Sequence, residues 1–149
     1  MGIVERILIV EDNSNLREDL KNIIALDNPS KVIDTAQNEL KALRLIEYRD
    51  YEVIVTDIKL DEAGGTATGG LKVLEAALKK NRKTKVIVVT AYGKKEVPRD
   101  DKPMSERIPI EKEVIKMGAF HCIQRPNPNR NYLEEVRQYV NLALKACRI

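Results

Sequence analysis

Short runs of aliphatic and β-branched residues alternate along this chain with segments whose apolar positions recur at helical spacing, and that alternation admits few folds. Arg6–Val10 (RILIV) is a nearly continuous apolar run. After it Leu16, Leu20, Ile23 and Ile24 fall on one helical stripe, with Ser14 or Asn15 available as N-cap. The pattern returns as a short strand near Val32 and Ile33, then a helix carrying Leu40, Leu43 and Ile46. The strand Val53–Thr56 and a helix with Leu71, Leu74 and Leu78 follow. Next come the strand Lys85–Thr90, a short helix over Ile110–Met117 stopped by Gly118, and a strand around Phe120–Gln124. A last helix aligns Leu133, Val136, Val140, Ala143 and Cys147. Strands alternating with helices in this way predict an α/β, doubly wound parallel sheet with helices on both faces.

At 149 residues the chain is expected to form one domain with a real core. The net charge of +3 is small and spread among mixed signs, which argues against nucleic acid as a partner. The sequence contains no apolar run of membrane-spanning length and no secretory leader, so the expectation is a cytoplasmic protein with no membrane partner. Cys122 and Cys147 match no metal or redox spacing and read as free thiols acting as small hydrophobes.

The strand Val53–Thr56 poses a sharper question, because four consecutive β-branched residues run directly into Asp57. Right-handed crossovers bring the carboxyl ends of parallel strands to one edge, where open α/β sheets bind their ligands. The residues that terminate the strands are Glu11-Asp12, Asp57, Thr90-Ala91 and Gln124-Arg125-Pro126. Three carboxylates gathered there repel one another unless a cation compensates, and hard oxygen ligands in that number suit Mg²⁺. A hydroxyl from Thr90 and a guanidinium from Arg125 are anion partners on the other side. Together they describe a site for moving a phosphoryl group onto Asp57. The plainer reading of any one of them, an aspartate that only caps the next helix, does not account for four strand ends that agree.

These residues resemble a known family. Arg6–Asn13 (RILIVEDN), Val53–Leu60 (VIVTDIKL), Val86–Gly93 (VIVVTAYG) and Gly118–Pro126 (GAFHCIQRP) look like the four sequence blocks of the receiver domain of two-component response regulators, in the family's order. The resemblance implies a five-stranded sheet in the order 2-1-3-4-5. It implies that Asp57 is the phosphoacceptor, taking its phosphoryl group from a phosphohistidine of a sensor histidine kinase or a phosphotransfer protein. Asp12 and Asp57 would ligate Mg²⁺, Glu11 would hold a water of the ion, and the Lys59 backbone carbonyl would add a ligand. Thr90 matches the switch hydroxyl. The activity implied is self-catalysed phosphorylation and dephosphorylation rather than an enzyme's turnover, with a downstream effector protein as the output.

Several positions depart from the family pattern. Arg125 stands where lysine is usual, a planar fork in place of a point charge. Cys122 falls on the aromatic switch position and has no ring to rotate; Phe120 lies two residues away and is expected on the same side of the strand. Two insertions, 61–70 and 93–109, replace short family loops, and Pro98 and Pro103 forbid a continuous helix through the second. Each is read as a lid over the site, a docking surface, or a solvated loop. The final helix reaches almost to Ile149, so the expectation is a single receiver domain over 1–149 with no output domain. One competing reading is a pseudo-receiver that works as a phosphorylation-independent interaction module. A remote one is a nucleotide-binding enzyme using the glycine loop at 64–70, although the loop lacks Lys-Ser/Thr after its second glycine. His121, the only histidine, lies in a predicted strand and reads as structural.

Overall fold

The computed structural model describes residues 5–58, 69–90, 110–124 and 131–147. In chain order these form β1 (Arg6–Val10), α1 (Ser14–Asp27), β2 (Val32–Ala36), α2 (Glu39–Tyr48), β3 (Val53–Asp57) and α3 (Gly69–Lys80). β4 (Lys85–Thr90), α4 (Ile110–Met117), β5 (His121–Gln124) and α5 (Tyr132–Cys147) complete the set. All pairings are parallel, and the strand order is β2-β1-β3-β4-β5.

Strand composition follows position in the sheet. β3 is buried at every residue and β4 at all but Lys85, as expected for strands covered on both faces. β2, at one edge, is mostly half-buried. Side chains alternate between two apolar layers. Leu8, Val10, Ile54, Val86, Val88 and Cys122 pack toward α2, α3 and α4, and Ile7, Ile9, Val53, Val55, Val89 and Ile123 pack toward α1 and α5.

Three local readings of the sequence change in the structure. The N-cap of α1 is Asn13, whose Oδ1 accepts from Leu16 N at 2.9 Å, rather than Ser14 or Asn15. On α2 the buried residues are Ala42 and Ile46, while Leu40 is 58% exposed, because the helix turns a narrower face inward than its leucines suggest. Phe120 packs in the α1/α5 layer, opposite to Cys122, because β5 begins at His121 and Phe120 precedes the pleat. Gly118 ends α4 at a φ of 111°, where a Cβ would be strained and would also meet Leu78 Cδ1 at 2.8 Å.

Polar clamps hold the helices in register. Lys80 of α3 donates to the carbonyls of Ile46 at 2.5 Å and of Glu47 and Arg49 at 2.9 Å, satisfying the carboxyl end of α2. Across the α1–α5 contact, Arg137 donates from Nε to Asp27 Oδ2 at 2.5 Å and from Nη2 to Oδ1 at 2.8 Å. Asn141 Nδ2 adds a bond to Oδ2 at 2.9 Å.

The hydrogen bonds from Arg137, then those from Asn141, pull the Asp27 carboxyl down to about 2 from its ordinary 3.8. A carboxyl depressed in the folded state stabilises the fold fully above its unfolded pKa and loses that contribution as pH falls through the folded one. Asp27→Asn should therefore lower the urea midpoint at neutral pH. The gap between variant and parent should close as pH falls from about 4 toward 2. A gap independent of pH would mean that the carboxylate charge contributes nothing.

Candidate functional site

The site is assembled at the carboxyl edge of the sheet by register. Val10 pairs with both Ala36 and Thr56, and Asp57 pairs with Val89. The residue that follows β1, Glu11, therefore sits level with Asp57, and Thr90 lies one residue further out on the strand next to β3. Glu11 N donates to Ala36 O at 3.0 Å, extending the ladder one step past β1. The chain then turns into α1, and Glu11 Oε2 accepts from Asn13 N at 3.0 Å.

Carboxylate oxygens of Glu11, Asp12 and Asp57 lie within 4.8 Å of one another. Glu11 is 2% exposed and Asp57 4%, with Asp12 partly exposed and Thr90 fully buried beside them. Burying two anions this close is costly unless positive charge or donors offset it. Oxygen-only donors at this spacing fit a small hard divalent cation such as Mg²⁺ and do not resemble the nitrogen and sulfur sets that hold zinc. Glu11, Asp12, Asp57 and Thr90, read from the sequence as one set, thus gather at one edge. Arg125 and Lys59 lie outside the described residues, as do most of the 61–70 insertion and all of 93–109.

The start of α3 is fitted against the backbone at Asp57. Ile58 N donates to Val89 O at 3.1 Å, and Gly70 N donates to Ile58 O at 2.9 Å. A Cβ on Gly70 would come to 2.1 Å from Asp57 O and 2.6 Å from Ile58 Cα, so only glycine permits this approach. The glycines that hinted at a phosphate loop are accounted for in part by packing: Gly69 and Gly70 open α3, and Lys72 is already on the helix, 4.0 Å from Glu39.

The face formed by α4, β5 and α5 shows contacts that sequence reasoning missed. Gln124, paired with Thr90 in the ladder, donates from Nε2 to Glu111 Oε2 at 2.6 Å and so ties β5 to the first turn of α4. His121 stacks on Tyr139 of α5 with ring centroids 3.6 Å apart and planes 13° from parallel, a structural role as expected. Neither contact has a local signature, since each joins residues brought together only by the crossover. Cys122 is buried, and desolvation, followed by the charge of Glu111, pushes its thiol up to about 12.

With this geometry in view, the family is plain: over residues 7–101 the sequence matches the response regulator receiver domain, and the chain belongs to that family. Among curated proteins it is 29% identical over 123 residues to protein-glutamate methylesterase/protein-glutamine glutaminase 2 of Paramagnetospirillum magneticum, covering 81% of this chain and 30% of that protein. It is 28% identical over 145 residues to the regulatory protein AtoC of Escherichia coli, covering 97% of this chain and 26% of that one. The chain spans between 26% and 54% of the length of six curated relatives that it matches. The crystal structure of a response regulator receiver domain protein from Clostridium thermocellum superposes with a TM-score of 0.70 at 20% identity, covering 97% of each chain, a likeness of fold. Among the described residues no helix is long and apolar enough to cross a membrane.

Gly70→Ala should destabilise the fold by about 1–3 kcal/mol, because the clash is with backbone that cannot swing aside. Urea denaturation measures it, and a loss below about 0.5 kcal/mol would show that α3 can shift away from Asp57 at little cost. The thiols should separate in a reagent titration at pH 8. Cys147, partly exposed with its thiol raised less far, reacts in the native protein, whereas Cys122 reacts at an appreciable rate only after unfolding.

Proposed function

We propose that this chain is an active phosphoacceptor receiver domain in which Asp57 takes a phosphoryl group from a phosphohistidine. The single observation that carries this reading is the convergence of Glu11, Asp12 and Asp57, with Thr90 on the neighbouring strand, at the ligand-binding edge of a receiver fold.

In the transfer, an Oδ atom of Asp57 forms a bond to phosphorus as the P–N bond to the histidine ring breaks, and the bonding pair leaves with the imidazole. Asp57 is the nucleophile, and its placement at the end of a fully buried strand holds it in one orientation. The Thr90 hydroxyl donates toward the transferred group, and the Arg125 guanidinium offsets its charge. Asp12, Asp57 and the Lys59 carbonyl, with Glu11 beside them, would hold Mg²⁺. When bound, the ion supplies positive charge against the phosphoryl oxygens.

Replacing the single charge of the Asp57 carboxylate with a bulkier phosphoryl group of about two negative charges favours an inward position of Thr90 and of the segment after it, biasing the surface that α4, β5 and α5 form. The partners on this reading are a sensor histidine kinase or phosphotransfer protein upstream and an effector protein downstream, in the cytoplasm, for a domain that is itself no enzyme beyond its own phosphorylation and dephosphorylation. One observation favours a second reading, the phosphorylation-independent pseudo-receiver: Cys122 is buried in the core where the family's switching ring would stand, so a ring cannot carry the signal outward.

Intact-protein mass after incubation with Mg²⁺ and a small-molecule phosphodonor decides between them. The parent should gain one phosphoryl group and Asp57→Asn none. No gain in a folded parent with Mg²⁺ present would replace the active receiver with the pseudo-receiver.

A further inference from the structure

The two acidic residues at the end of β1 are held from behind by a side chain that touches neither carboxylate. Arg17, in the first turn of α1, donates from Nη1 to the carbonyl of Glu11 at 2.9 Å and lies 3.5 Å from the carbonyl of Asp12. Its own backbone N donates to Asn13 O at 2.9 Å, so the residue is anchored in the helix that leaves the loop. The loop is thus fixed on three sides: Glu11 N by Ala36 O, Asn13 N by Glu11 Oε2, and the Glu11 and Asp12 carbonyls by one guanidinium. Bonds from a charged donor to a carbonyl are stronger than neutral ones, and here one nitrogen, Nη1, faces both acceptors.

We propose that Arg17 is a positioning residue for divalent-cation binding, holding the Glu11–Asp12 backbone so that both carboxylates converge with that of Asp57. This rests on the reading of the acidic cluster given above. The loop's conformation determines where the Asp12 carboxylate lies, and the support behind a ligand typically governs affinity by about 10–100-fold. The guanidinium's charge acts in the opposite sense, since a cation near the cluster repels a second one. Positioning and charge therefore predict shifts of opposite sign when the guanidinium is removed.

The test is isothermal titration of Mg²⁺ alone into the parent, Arg17→Met and Arg17→Lys, with the melting temperature of each measured in the absence of metal. Arg17→Met should weaken Mg²⁺ binding by about tenfold without a matching loss of metal-free stability. Arg17→Lys, which keeps the charge but does not place a donor where Nη1 stands, should lie between the two. Affinity in Arg17→Met equal to the parent's, or tighter, would overturn the proposal. Should that variant fail to fold, Arg17→Lys decides alone: weaker binding than the parent supports positioning, and equal binding refutes it. A parent that binds no Mg²⁺ sinks both this inference and the metal reading beneath it, whereas a binding parent with unaffected variants sinks this inference only.

Discussion

The parallel register of β1, β3 and β4 is the constraint on which the site depends. Val10 opposite Thr56 and Asp57 opposite Val89 put the ends of three strands at one level. Residues far apart in the chain then share a space only a few ångströms wide. A slip of one residue in β3 would turn Asp57 to the other face and bring a neighbouring residue level with Glu11 in its place. The unbroken apolar character of these strands resists such a slip, because both faces are packed and any shift exchanges the two layers wholesale.

The two edges of the sheet treat charge differently. At the amino edge Lys31, with its side chain almost buried, bridges Glu5 and lies 2.7 Å from Glu52, so acids there have a lysine built in. Near β2, Asp34 accepts from Arg49 Nη1 at 2.9 Å and from the Tyr51 hydroxyl at 2.8 Å. These arrangements neutralise acids with neighbouring residues and serve the fold. At the carboxyl edge three acids crowd within a few ångströms of one another, and the proposed function rests on that cluster. The glycine at the head of α3 adds to this, since it lets a helix start press directly against the backbone that carries Asp57.

The departures from the family pattern also find physical content. Cys122 fills a small buried space between β5 and the α4 side of the sheet, and its high thiol pKa makes it an inert packing group. The link between the end of β5 and α4 is polar, the Gln124–Glu111 bond, and it begins on the residue paired with Thr90. A buried cysteine thus lies where the family's pattern has an aromatic ring, and the Gln124–Glu111 bond lies two residues further along the strand.

Much of the fold was legible in the sequence because its signals are local and periodic. The runs at β1, β3 and β4 have no polar break, and α4 is bounded by Ile110 and Gly118. Glu11, Asp12, Asp57 and Thr90 were legible as a set because each terminates a strand, and parallel topology sends all such ends to one edge. The order of the strands came from family resemblance, as the alternation alone leaves it open. The sequence by itself determined the periodicities, the breaks and the chemistry of the strand ends, since these reside in the side chains and their spacing. Only the tertiary structure decided that Asn13 caps α1, that Leu40 faces outward, that Phe120 and Cys122 lie in opposite layers, and that Arg17 grips the Glu11–Asp12 carbonyls. Each of those depends on where a helix or strand comes to rest against its neighbours, a balance of packing across the whole chain that no short stretch of residues contains.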